Sequence, residues 1–189
     1  MNFIKLYKIP LLLAVLSIAF YISFAYDLER SDFIQLISLY AALFFTTYLF
    51  IEKFKLNFWF LACLGITFRL VFTLAIPNLS QDFYRFLWDG RLLLQGVSPY
   101  LFTPDSKTIV NISVAQFQVL IEGMGPLNAS HFSNYPPVNQ LFFAVAAMFA
   151  GKSILGSVVV LRVLIFLADS FYIENLLILL IMLGMNAKL

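Results

Sequence analysis

Asp82, Arg85, Asp89 and Arg91 fall within ten residues of a chain that is otherwise apolar. They lie in the stretch Leu79–Tyr100, LSQDFYRFLWDGRLLLQGVSPY, where Trp88 and several Phe and Tyr residues accompany them and Gly90, Gly96 and Pro99 punctuate the run. Charged and turn-forming residues between apolar segments belong at an interface, where binding and catalytic groups collect. Asp82 suits a general base, because a carboxylate partly desolvated at a membrane–water boundary can take the proton of a hydroxyl. It equally suits a structural role, as a first-turn residue favoured by the helix dipole or as an i,i+3 partner of Arg85. Arg85 and Arg91 can grip phosphate oxygens in bidentate fashion, as on a lipid-phosphate headgroup. Their structural alternative is pairing with Asp82 and Asp89 or, for Arg91, interfacial anchoring. Trp88, Tyr84 and Tyr100 can stack on a sugar face, although aromatics at this depth ordinarily form the interfacial belt.

The elements that must position these groups are membrane spans. Hydrophobic residues make up 62% of the chain and charged ones 12%, against about half and about a quarter in a soluble domain. The chain therefore reads as an integral membrane protein. Residues 9–26 form a first apolar segment behind Lys5 and Lys8, readable as a signal peptide but, since more spans follow, better read as an uncleaved signal anchor. Residues 33–51 give a second span of about 28 Å at 1.5 Å per residue. A third covers 58–76, with Arg69 embedded and Pro77-Asn78 ending it. Tyr135-Pro136-Pro137 opens a fourth, whose apolar core at 141–150 is short, so Asn139 and Gln140 are expected at the membrane edge. A fifth segment, from Ser153 to Met185, exceeds one crossing and is too short for two; it reads as one tilted helix carrying Arg162, Asp169 and Glu174. The expected fold is thus all-α, a polytopic helical bundle with about five transmembrane segments.

Between the third and fourth spans lies a long segment, residues 78–134. Ser80 can cap a helix beginning at Gln81, on which Asp82, Arg85 and Asp89 share one polar stripe. Phe83, Phe86, Leu87 and Leu94 then rest on lipid or neighbouring spans, and Gly90 interrupts the helix. Residues 109–122 read as a weaker interfacial helix ended by Gly123 and Gly125. With alternating spans, Lys5, Lys8, Lys53, Lys55 and Lys152 fall on one side and the acidic turn 27–32 on the other. The positive-inside rule then places the N-terminus in the cytoplasm and the 78–134 loop outside, in a periplasm or lumen.

Several chemistries are disfavoured. The net charge of +2 is scattered and offers no basic patch for nucleic acid. Cys63 is the single cysteine and His131 the single histidine, so neither an intramolecular disulfide nor a zinc site is expected. There is no Ser-His-Asp constellation, P-loop or dinucleotide fingerprint. Asn111-x-Ser113 and Asn128-x-Ser130 match the glycosylation sequon, a tripeptide common by chance. Arg162 and Asp169 lie seven apart on one helix face and suit a structural network.

The run SQDFYRFLWDGRLLLQGVSPY, followed by NYPPVNQLFF and then VVVLRVLIFLAD, resembles the mannosyltransferase-like membrane enzymes of the GT-C superfamily, in their bacterial versions. Asp82, Tyr84, Arg85, Trp88, Asp89, Gly90, Arg91, Gly96, Pro99, Tyr100, Tyr135, Pro136, Pro137 and Gln140 stand at the matching places. The resemblance implies an N-terminal portion of a single GT-C-like transmembrane domain over 1–189, in the bacterial inner membrane with its functional loop in the periplasm. It implies transfer of a mannose-like hexose from a polyprenyl-phosphate donor to a glycan or lipid acceptor hydroxyl. Asp82 would be the catalytic base; Arg85, Trp88, Asp89, Arg91, Tyr100, Tyr135 and Gln140 would bind substrate, with Arg85 or Arg91 on the donor phosphate. No metal or other cofactor is assigned, since Gln81-Asp82 stands where the superfamily shows two adjacent acids. Members are much longer, so the chain is expected to be incomplete at its C-terminus or completed by a partner chain. The alternative is a non-catalytic membrane subunit or transporter-like scaffold.

Overall fold

A computed structural model of the protein describes residues 2–106 and 114–182, with side chains over 8–106 and 114–172. Every regular element among them is helical. The helices are α1 (Asn2–Ile22), α2 (Phe33–Phe54), α3 (Phe58–Phe72), α4 (Asp82–Leu94), α5 (Phe117–Ala129), α6 (Pro137–Ala150) and α7 (Ile154–Met182). Five apolar helices occupy the five expected positions. Three segments, Lys8–Asp27, Phe33–Phe54 and Ile154–Tyr172, are long and apolar enough to cross a membrane. The other two, α3 and α6, span 15 and 14 residues and are shorter than a full crossing. The chain forms two compact units, one built on residues up to Leu79 with the end of α7, the other from Ser80 to Tyr172.

In the first unit α1 runs on into a wider turn at Ser23–Asp27. Asn78 closes it, its amide donating to the Phe24 and Leu28 carbonyls at 3.0 and 2.8 Å. Asp32 caps α2 by accepting from the Gln35 N–H, and Asn57 caps α3 by accepting from that of Phe60. The third span ends at Phe72 rather than at residue 76. The Thr73 and Ala75 N–H groups bond three residues back, a tightened turn that brings the chain to the extended conformation Pro77 demands. Rings fill the gaps between helices, with Tyr21 4.8 Å from Phe68 and Phe54 4.4 Å from Phe60. The outward faces carry Leu12, Phe44 and Tyr48, large exposed side chains suited to lipid.

The second unit is organised around α4. Ser80 accepts from the Asp82 N–H, and the helix starts at Asp82. Gly90 does not interrupt it. A β-carbon there would overlap the Phe143 carbonyl, so the glycine lets α4 and α6 cross in backbone contact. Of the two expected settings Phe83 and Leu87 take the neighbouring helices, forming a core with Trp88, Leu92, Leu120, Met124 and Val158. Phe86 packs partly buried against the same core, and Leu94 is exposed. The start of the helix expected at 109 lies outside the described residues up to Val114, and α5 is helical from Phe117. It passes Gly123, over which the Tyr84 ring sits, and kinks at Gly125 (φ 73°), which returns the chain as a short turn ending at Ala129.

Candidate functional site

Two groups of polar residues surround α4, one inside the unit and one on its surface. The inner group centres on Asp89, which is completely buried. Arg85, one turn earlier and 1% exposed, donates from Nε to Asp89 Oδ1 at 2.8 Å. Ser133 Oγ and Gln140 Nε2 donate to the other carboxylate oxygen at 2.5 and 2.8 Å. Arg85 Nη1 reaches onward to the carbonyls of Asn128 and His131 at 3.3 and 2.7 Å. A charge taken out of water is tolerable only when paired and hydrogen-bonded in this way. The ion pair therefore ties α4 to the turn after α5 and to the start of α6.

Arg91 is the second inward cation. It donates to the carbonyls of Ala115 and Lys152 and to Gln116 Oε1. Gln116 has φ 57°, a left-handed conformation uncommon outside glycine, and the guanidinium fork holds that turn closed. Burial pulls the Arg91 pKa below the ordinary arginine value. Trp88 is fully buried against Phe117, 5.1 Å between ring centroids, and Gln140 is buried on Asp89. Arg85, Trp88, Asp89, Arg91 and Gln140, all named from sequence as substrate contacts, thus face the interior of the unit.

The outer group contains Asp82, the expected base. It is exposed on the first turn of α4, and Oδ1 accepts from Asn128 Nδ2 at 3.2 Å. Asn128 precedes Ser130 and exposed His131, whose Nδ1 lies 2.5 Å from the Leu127 carbonyl. Tyr135 is half-buried, its ring edge-on to Phe86 at 4.9 Å. Burial, and then the carboxylates of Asp82 and Asp89, push its phenol pKa up, with Arg85 opposing. Tyr100, exposed, donates to the Tyr135 carbonyl at 2.6 Å. Asp82, Tyr100 and Tyr135 are therefore the sequence-named residues that share an accessible rim. Among the described residues no group of three His, Cys, Asp or Glu is placed to hold a metal ion.

Asn128, Ser133 and the His131 carbonyl are contacts that sequence reasoning missed. Asn128 registered only as part of a sequon, and a main-chain acceptor carries no residue-type signal.

Comparison with known families decides the wider identity. Residues 43–188 match the model of the alpha-(1->6)-mannopyranosyltransferase N-terminal domain, the MptA_B family. The chain belongs to this family. The match covers the whole motif-bearing stretch and extends over the tail beyond Asp169, where the motif likeness weakens. No curated protein and no solved structure matches the chain. Membership in a mannosyltransferase family carries glycosyltransferase function in general terms, with a sugar donor and a glycan acceptor, and the apolar helices carry association with a membrane.

Proposed function

We propose that this mannosyltransferase-family chain uses Asp82 as the base that activates an acceptor hydroxyl against a polyprenyl-phosphate mannose. The observation carrying this reading is the contrast between the two carboxylates of α4. Asp89 is consumed by three side chains in the interior, whereas Asp82 is exposed and held from one side only, by Asn128. In the step, Asp82 accepts the hydroxyl proton, and the acceptor oxygen forms a bond to the anomeric carbon. The bond from that carbon to the phosphate oxygen breaks, and its electron pair leaves on polyprenyl phosphate. Attack opposite the leaving group inverts the centre, so a β-linked donor yields the α-linkage in the family's name. In this reading Tyr100 and Tyr135 contact the sugar or its phosphate. Arg85, Trp88, Asp89, Arg91 and Gln140 act from inside by fixing the rim. The N-terminus lies in the cytoplasm and the rim on the outer face of a bacterial inner membrane, where nucleotide sugars are absent and a lipid-borne donor is required.

The test is transfer by membranes containing the protein, with polyprenyl-phosphate mannose or a nucleotide mannose as donor. Transfer from the lipid donor alone, with inversion, is expected. Use of the nucleotide donor, or retention, would overturn the reading. The inward position of Arg85 and Arg91 favours a second reading, a non-catalytic membrane subunit. It predicts that neutralising Asp82 alters assembly and no turnover.

A further inference from the structure

We infer that His131 supplies the phosphate contact that Arg85 and Arg91 do not make, donating from its Nε2 to a phosphate oxygen of the donor beside Asp82. This rests on the lipid-phosphate reading of the site and names the group that recognises it. A phosphate-bearing donor needs a cationic or N–H-rich partner. Among the described residues of the Ser80–Tyr172 unit, the basic side chains are Arg85, Arg91, His131, Lys152 and Arg162. Arg85 and Arg91 direct their partnered donors to interior carbonyls, the Gln116 carboxamide and Asp89, and the remaining Arg85 Nη2 and Arg91 Nε are buried inside the unit. Lys152 follows α6, and its carbonyl meets Arg91, about 13 Å along the α4 axis from Asp82 at 1.5 Å per residue. Arg162 sits on α7 with interactions of its own. His131 is the one that shares the exposed turn with Asn128 and so neighbours Asp82.

The turn also prepares the ring. A carbonyl only accepts, so the 2.5 Å contact to Leu127 O puts a proton on Nδ1. Ser130 Oγ, 3.3 Å from the same nitrogen and donating to the same carbonyl, reinforces that arrangement. Nε2 is left as the nitrogen that meets a ligand, and in the doubly protonated ring it is a second N–H donor. The backbone behind it is fixed, because the His131 carbonyl accepts from Arg85, which Asp89 holds in turn. The buried ion pair thus acts as the support of the phosphate contact.

Replacing the imidazole leaves that main-chain carbonyl in place, so His131→Gln should fold. The experiment measures binding of polyprenyl monophosphate, the product the reaction would release, and of the same polyprenol without phosphate, to the full chain in detergent. Phosphatidylglycerol and inorganic phosphate serve as competitors, and thermal midpoints are recorded alongside. The wild type should prefer the phosphate over the bare polyprenol, with neither competitor displacing it at equal concentration. His131→Gln should lose at least about tenfold in affinity for the phosphate, leave polyprenol binding unchanged and melt with the wild type. His131→Lys, which keeps a cation, should recover part of the loss. A His131→Gln protein with undiminished phosphate preference would overturn the inference while leaving the donor reading intact. A wild type that does not prefer the phosphate, or yields it equally to phosphatidylglycerol, would sink the donor reading itself.

Discussion

The first turn of α4 and its middle carry the same chemical group in opposite settings. Asp82 is exposed with one amide on it; Asp89, two turns on, is sealed among Arg85, Ser133 and Gln140. Both face the same side of one helix, and both belong to one motif. What separates them is the end of α5 with the turn that follows it. It places a side-chain amide, Asn128, at the open end and two carbonyls over Arg85 at the closed end. A carboxylate with three buried partners cannot exchange a proton with a substrate without breaking its network, whereas an exposed one can. The motif is therefore two devices, a reactive rim and the frame under it.

That division can be broken most forcefully from the inside. Asp89→Ala strands the Arg85 guanidinium in the interior and should cost about 3–5 kcal/mol, read as a collapse of the thermal midpoint in detergent. Gly90→Ala forces a β-carbon into the Phe143 carbonyl. Separating α4 from α6 should cost about 1–3 kcal/mol, and Gly90→Val should cost more. Arg91→Lys keeps the charge but not the fork on Ala115, Gln116 and Lys152. About 1–2 kcal/mol of stability should go, with proteolysis becoming faster near Gln116. The smallest effect belongs to Tyr135. Its pKa is raised, so the protonated phenol is the form the fold favours, and its contribution is complete below the ordinary value of 10.0. It is lost as the pH climbs from there through the folded value. Tyr135→Phe should therefore flatten the alkaline limb of a stability–pH curve and leave the neutral region unchanged.

The sequence carried the spans and the motif clearly, because apolar runs and a charged cluster are compositional signals. Asp82 stood out for the same reason. What it did not carry was the direction each charge faces. Asp82, Arg85 and Asp89 share a helical stripe, and periodicity cannot say that α6 covers one end of it and leaves the other open. Gly90 looked like a break because glycine weakens an isolated helix. Its reason is a helix crossing, visible only once Phe143 is placed. Arg85 and Arg91 matched a phosphate-binding type, yet carbonyls distant in sequence claimed them first.

The most direct measurement compares Asp82→Asn with Asp89→Asn in the same membranes, recording mannose transfer and thermal midpoint for each. Asp82→Asn should lower transfer by about two to four orders of magnitude at an unchanged midpoint, while Asp89→Asn should lower the midpoint. Full transfer by Asp82→Asn would contradict the assignment of the base.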